Sequence, residues 1–401
     1  MTSRIKYFVV SSSTCLTVLL LAGSVISKGA SQDDTFKHIG VFSEVVHYIE
    51  KQYVEEPDMK SVTLGALDGM LEAIDPFASY LNADQYRDYL KNKDARRPDV
   101  GLVLSKRYGM VVVVDAIPGS PAAKAGFSTN DMIESIKGVA TRDMPLAYAG
   151  LLLQGDSGTD IDLSVVRARH PEPQTVKLTR ANVVLPGIDS KMLPGDVGYI
   201  DVNSLSSAHL KDVSDAVKQL QKNGAKKLIL DVRYCGVGTP EDGIALANLF
   251  LKSGRITYLK GQRVTQQNFD ADPAKGITDL PVAVLTNRGT ADGAEIAASA
   301  LLGNKRAQVI GERTYGDAAQ RKALTMDDGS AIILSVAKYY TLDGKAIQDT
   351  GVIPSTVVAE AEPPVNYDEN GEPVPEAKPQ ETQPKKLEDD PVVKKALEVL
   401  G

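Results

Sequence analysis

Residues 183–358 alternate apolar strand signals with helical periods, and that alternation is the strongest constraint on the fold. Val197–Val202, Lys227–Val232 and Val282–Thr286 are short runs rich in Val, Ile and Leu. Between them the apolar spacing changes to a helical period over Ala208–Lys222, and again over Ala291–Leu302. Val309-Ile310, Ala331–Val336 and Val357-Val358 add further strand signals. Strands buried on both faces read as continuous apolar runs, so this pattern predicts an α/β layer with helices packed on a sheet. The chain is 401 residues long, more than this core needs, and the remainder divides into segments of different character.

Residues 1–30 read as an export signal. Arg4 and Lys6 precede an apolar stretch from Tyr7 to Ile26, densest at Leu16–Ala22. Positive charge ahead of an apolar segment holds the N-terminus on the cytoplasmic side. Val25-Ile26-Ser27 offers a cleavage site, while residues 7–26 are also long enough for a single-span anchor, so both outcomes stay open. The expected location is periplasmic or otherwise extracytoplasmic. Residues 34–97 form a helical N-terminal segment, with Phe42, Val45, Val46 and Ile49 and then Leu64, Leu67, Met70, Leu71 and Ile74 at helical spacing. Asp75-Pro76 stops the second helix, and Tyr80, Leu81, Tyr86 and Tyr89 suggest a short third one. Residues 98–181 form a β-rich module: Val111–Val114 is a strand run, Pro118-Gly119-Ser120-Pro121 a turn, Ala122–Gly126 a short helix and Ile161–Arg167 a strand. Residues 359–401 begin with a linker rich in Pro and Glu and end in a helix from Asp390 to Leu400. The apolar faces at 38–93 and 390–400 are candidate surfaces for a homo-oligomer.

Composition excludes several functions. Asp+Glu outnumber Lys+Arg by 52 to 45, which gives no basic footprint for nucleic acid. The four histidines, His38, His47, His170 and His209, lack metal-ligand spacing, so neither a metal nor another cofactor is expected. The two cysteines, Cys15 and Cys235, make no disulfide framework.

Several blocks carry a resemblance. A helical segment ending Asp75-Pro76-Phe77-Ala78-Ser79-Tyr80, the block "GSPAAKAGFSTNDMIESIKG" at 119–138, "VGYIDVNSL" at 197–205, "KKLILDVR" at 226–233, "GERTYGDAAQ" at 311–320 and "DDGSAIILSVAKYYTLDGKAIQDTGVIPSTVV" at 327–358 are similar to the carboxyl-terminal processing (tail-specific) serine peptidases. The resemblance runs from about residue 38 to the end. It implies a PDZ domain over 98–181 and a ClpP/crotonase-like α/β core over 183–358. PDZ modules take an extended C-terminal peptide as an added strand and hold its carboxylate on loop amides. Here that loop is Gly101-Leu102-Val103, with peptide or protein C-termini as the implied partners.

The same resemblance implies a serine nucleophile and a lysine base, because a serine hydroxyl attacks poorly until a neighbour takes its proton. The family's Gly-Ser-Ala-Ser-Ala-Ser-Glu-Ile appears here as Gly289-Thr290-Ala291-Asp292-Gly293-Ala294-Glu295-Ile296, which places Asp292 at the nucleophile position. Its Thr-Phe-Gly-Lys-Gly-Ser-Val-Gln appears as Thr314-Tyr315-Gly316-Asp317-Ala318-Ala319-Gln320-Arg321, with Asp317 at the base and Arg321 at the helper glutamine. The Asn-Asn-Pro-Gly-Gly of the oxyanion loop appears as Tyr234-Cys235-Gly236-Val237-Gly238, and Val237 displaces a glycine. With all three sites altered, the expectation is a pseudopeptidase that binds C-termini, either escorting substrates to an active relative or occupying the same partners. The competing expectation is an active exported endopeptidase with a rearranged site, built on Thr290 and Lys322 or on Cys235. Asp292 and Asp317 are expected to meet; an ion pair with Arg313 or Arg321, two solvated carboxylates, and a cation or aspartic-type site remain open at this point.

Overall fold

The computed structural model describes residues 36–93, 97–107, 109–142, 144–167, 170–360 and 387–401. The export signal at 1–30 and most of the Pro/Glu-rich linker lie outside the described residues. The chain divides into two compact units, residues 1–66 and 67–401. In the first, a helix over 36–52 leaves Phe42 and Val45 exposed, while Val46 and Ile49 are half-buried. No helix among the described residues is long and apolar enough to cross a membrane.

The second unit holds three sheets. The central one has six strands in the order Thr356–Val357, Ala307–Gly311, Val282–Thr286, Lys227–Asp231, Val197–Asp201 and Asp189–Leu193. The first five are parallel and the last is antiparallel to its neighbour. Its central strands Val282–Thr286, Lys227–Asp231 and Val197–Asp201 are mostly apolar because both faces are covered. Leu228, Leu230, Val282 and Val284 pack under the helices Ser207–Lys222, Pro240–Phe250 and Gly293–Gly303. Ile229, Ala283 and Leu285 alternate to the other face, where Val392, Val393 and Ala396 of the terminal helix Pro391–Leu400 cover them. That helix therefore spends its apolar face on its own chain rather than offering it to a second subunit.

The second sheet is antiparallel and is built around Ala331–Tyr340, which pairs with Ser79–Leu81, Ala319–Thr325 and Arg255–Lys260. Tyr80 and Leu81 thus belong to a strand, not to the third helix expected there. The helix is Ala83–Asn92, started by an Asn82 cap whose Oδ1 accepts from the Asp84 and Gln85 amides. The third sheet is the β-rich module, in the antiparallel order Leu102–Arg107, Met110–Ala116, Met132–Ile136, Asp160–Arg167 and His170–Thr179. Val111, Val113, Ile133, Leu163 and Val165 fill its core against Ala149 and Leu153 of the helix Leu146–Leu153. Leu102–Arg107 is an edge strand of this sheet.

Candidate functional site: the Asp292–Asp317 cleft

The strand Val282–Thr286 runs into a tight turn at Asn287–Thr290 and then into the helix Gly293–Gly303. Asn287 Oδ1 accepts from the amides of Tyr234 and Gly289, and the Thr290 hydroxyl donates to Val232 O at 2.8 Å while accepting from Asn287 N. This bracing presents Asp292 at φ 49°, ψ −120°, a conformation that costs a non-glycine residue free energy and persists where its surroundings fix it. Gly293 and Gly243 explain how two helices meet there. A Cβ on Gly243 would lie 2.0 Å from Gly293 O, so only glycine lets the backbones approach.

Glu295 ties the two halves of the cleft together. Its Oε1 accepts from Gly316 N at 2.8 Å and from the Thr314 hydroxyl; its Oε2 accepts from Asp317 N at 2.8 Å and Asp292 N at 3.2 Å. One carboxylate oxygen thus holds the amides of both expected dyad positions, which brings the backbones of Asp292 and Asp317 together. Glu295 is fully buried, and burial pushes its carboxyl up to about 8 despite these donors. Asp292 is raised well above the usual carboxylate range, first by burial and then by the negative charge of Asp317. Its Oδ1 is buried without a hydrogen-bond partner.

Of the three arrangements open from the sequence, the structure forms the ion pair, with Arg321 bonded through Nη2 to Asp317 Oδ1. Arg313 is exposed. The Arg321 guanidinium also lies 4.5 Å from the ring centre of Phe77. Phe77 belongs to the Asp75–Tyr80 motif, where Asp75 accepts from Phe77 N and Ser335 N. That supporting role was not legible in the sequence. Among the described residues no three His, Cys, Asp or Glu groups converge closely enough to ligate a metal.

The other candidate nucleophiles are occupied or sealed. Thr290 is fully buried with its hydroxyl engaged, and Lys322 is exposed. Cys235 is fully buried, and burial, followed by the charge of Asp115, raises its thiol far above neutrality. In the altered loop the left-handed residue is Tyr234, at φ 55°, while Val237 keeps a negative φ and its carbonyl accepts from Leu205 N at 2.7 Å. Gly238 packs against Leu205.

The β-rich module meets this loop directly. Asp115 accepts from the Gly236 amide, and burial pushes its carboxyl up to about 7. Val103 packs with Phe77, Val114, Ala291 and Tyr315. Ser105 Oγ bonds to Tyr315 OH, and Arg107 lies 4.6 Å from the Tyr315 ring centre. In the expected carboxylate loop, Gly101 adopts φ 81° and its amide donates to Asp99 Oδ1, so an internal carboxylate already holds it. Leu102 and Val103 pair with Ala116 and Asp115 on the inner side of the edge strand.

With this geometry in place, comparison with known proteins is direct. Residues 196–358 match the sequence pattern of peptidase family S41, and residues 112–167 that of the PDZ domain. The chain is 30% identical to the carboxy-terminal processing protease CtpA of Bacillus subtilis, over 85% of this chain and 73% of that protein. It is 32% identical to the carboxyl-terminal-processing protease of Synechocystis, over 81% of this chain and 77% of that one. Among solved structures, the photosystem II D1 C-terminal processing protease superposes with a TM-score of 0.66 at 26% identity, covering 79% of this chain and 92% of the other. A PDZ sheet set beside an α/β core, with relatives matched along most of their length, places this chain in the S41 family of carboxyl-terminal processing peptidases.

Proposed function

We propose that this chain is an exported pseudopeptidase of the S41 family that binds peptide or protein C-termini through its PDZ module without cleaving them. The observation that carries the proposal is the pairing at the dyad positions. Asp292 lacks the hydroxyl that forms an acyl-enzyme, and Asp317 is bound to Arg321 where the family pattern calls for a proton-accepting lysine. The nearby hydroxyl of Thr290 and thiol of Cys235 are buried: the hydroxyl is engaged with Val232 O, and burial and the charge of Asp115 hold the thiol in its protonated form. Binding draws on different parts of the molecule: the edge strand Leu102–Arg107 can accept an added strand, and Leu102 and Val103 supply loop amides beside the one that Asp99 holds.

Incubation with an unstructured protein ending in an apolar residue tests the catalytic half. No cleavage is expected, and cleavage that disappears in the Asp292→Ala variant would overturn the proposal. The binding half is tested with paired peptides. A free apolar C-terminus is expected to bind with micromolar affinity, about −8 kcal/mol, and amidation to abolish it. Equal binding of the two peptides would remove Gly101, Leu102 and Val103 from the site.

A further inference from the structure

A second cleft opens where the strands Val197–Asp201 and Lys227–Asp231 end, beside the start of the terminal helix. Its volume is about 440 Å³, within the roughly 300–1,000 Å³ of small-ligand pockets. Asp201, Asn203, Tyr234, Glu360, Asp389 and Pro391 are among its lining residues, and neither Asp292 nor Asp317 is. The strand register concentrates acid there, because Asp201 lies opposite Asp189 on one neighbouring strand and Asp231 on the other. Like charges on adjacent strands repel. Arg233 is the cation in the lining, and it is fully committed. Its Nε and Nη2 hold Asp231, and its Nη1 holds Asp390 and Glu360. Asp389 has Lys394 at 3.7 Å in an exposed pair, and Lys191 lies 5.9 Å from the Tyr199 ring centre, outside the lining. Asp201 is left with the Asn203 side chain and, among the described residues, with no ion pair of its own. It is half-buried, so the cleft reaches it.

We propose that this cleft binds a guanidinium group, with Asp201 as its charged acceptor and the Tyr234 ring as the surface it stacks on. The proposal stands apart from the pseudopeptidase reading, because it uses neither the dyad positions nor the PDZ loop. A guanidinium carries five N–H donors in one plane, and the cleft supplies acceptors from separate elements. Asp201 and Asn203 come from a strand end, and Asp389 from the turn ahead of the terminal helix. Tyr234 is 41% exposed, and an aromatic face attracts a planar cation. Leu387 and Pro391 give an aliphatic stem apolar contact. A metal ion fits worse, since no three ligating groups converge among the described residues. A bound guanidinium relieves the repulsion along the row of aspartates; without it a proton on Asp201 does so. Burial, and then the charge of Asp231, push that carboxyl up to about 6. Proton and ligand compete, so binding strengthens as pH rises to about 6 and levels off above it.

The test titrates the full chain by calorimetry with capped probes, whose amidated ends keep the PDZ loop out of play. Acetyl-Ala-Ala-Arg-Ala-Ala-amide presents the guanidinium on a peptide, and acetyl-Arg-amide presents it alone. Two further peptides carry citrulline or lysine in place of arginine. At least one arginine probe should bind. Comparable binding of both assigns the site to small guanidinium compounds, and binding of the longer one alone assigns it to a protein segment. The citrulline peptide, neutral and of nearly the same shape, should not bind, and the lysine peptide should bind at least about fivefold more weakly. Affinity should rise by up to about tenfold from pH 5 to 6 and change little from pH 7 to 8. Asp201→Asn should weaken binding at least about tenfold at pH 8. Asp215→Asn, the same charge change on an exposed helix residue outside the cleft, should leave it intact. Asp201→Asn also removes repulsion, so its thermal midpoint at pH 8 should equal or exceed that of the natural chain. Equal binding of the citrulline or lysine peptide, undiminished binding by Asp201→Asn, or no arginine-dependent binding at millimolar probe would overturn the proposal. So would a midpoint well below the natural one, because Asp201 would then have a partner in the fold already.

Discussion

Arg321 decides what can be restored at the cleft. Changing Asp292→Ser and Asp317→Lys returns a nucleophile and a base to the family positions, but the new ammonium would meet the Arg321 guanidinium where Asp317 now meets it. Two cations in one partly buried cleft repel, and each disfavours the other's approach to the serine. The double variant is therefore expected to show no hydrolysis of an unstructured protein substrate. Adding Arg321→Gln should bring measurable turnover, and Val237→Gly on top of it should raise that further. A double variant as active as the triple one would show that Arg321 does not obstruct the site. In the sequence, Gly289 and Glu295-Ile296 hold the register without a gap, and that register is what assigns Asp292 to the nucleophile position. The choice of Arg321 over Arg313 as the partner of Asp317 was not legible, since it depends on strand register. Nor was the clamp by Glu295, whose donors are mostly backbone amides and leave no mark in side-chain identity.

The terminal helix Pro391–Leu400 depends on one buried arginine. Arg233 Nε and Nη2 donate to Asp231, and its Nη1 donates to Asp390, the residue that caps this helix through the Val392 and Val393 amides. Arg233→Ala would leave Asp231 buried with only the Tyr199 hydroxyl and the residue 233 amide for partners. Removing one member of a buried ion pair costs about 3–5 kcal/mol, whereas Asp390→Asn keeps a cap and a polar contact and should cost about 1 kcal/mol. Denaturant midpoints of the two variants check this order, and an Arg233→Ala loss below about 1 kcal/mol would show that the network contributes little. At this scale the apolar elements were legible, including the terminal helix and the central strands 197–201, 227–231 and 282–286. One polar strand, Gln267–Asp270, was not, because pairing with a neighbouring strand holds it in place of any periodicity of its own. The helix Pro240–Phe250 escaped too, although the Thr239 and Asp242 capping box and Pro240 at its first turn were available signals.

Burial holds several carboxyl groups of the described residues above their ordinary range, and the stability of the molecule should follow pH accordingly. Burial raises Glu295 to about 8, Asp115 to about 7 and Asp201 to about 6. In the unfolded chain these groups release their protons near pH 4, so between roughly pH 5 and each folded value the native state binds a proton that the unfolded state has lost. The stability gained from keeping these protons is fully present below the unfolded values and is lost as pH rises through the folded ones. Each such group lowers stability by up to about 1.4 kcal/mol per pH unit inside its window, and least for Asp201, which keeps some solvent contact. The chain is therefore expected to be more stable at pH 5 than at pH 8 in denaturant titrations. Asp115→Asn keeps an acceptor for the Gly236 amide and removes one titrating group, so it should flatten the slope between pH 5 and 7. A wild-type chain equally stable at pH 8, or more so, would mean that these carboxyls are ionised in the folded state, with charge partners that the cleft does not display.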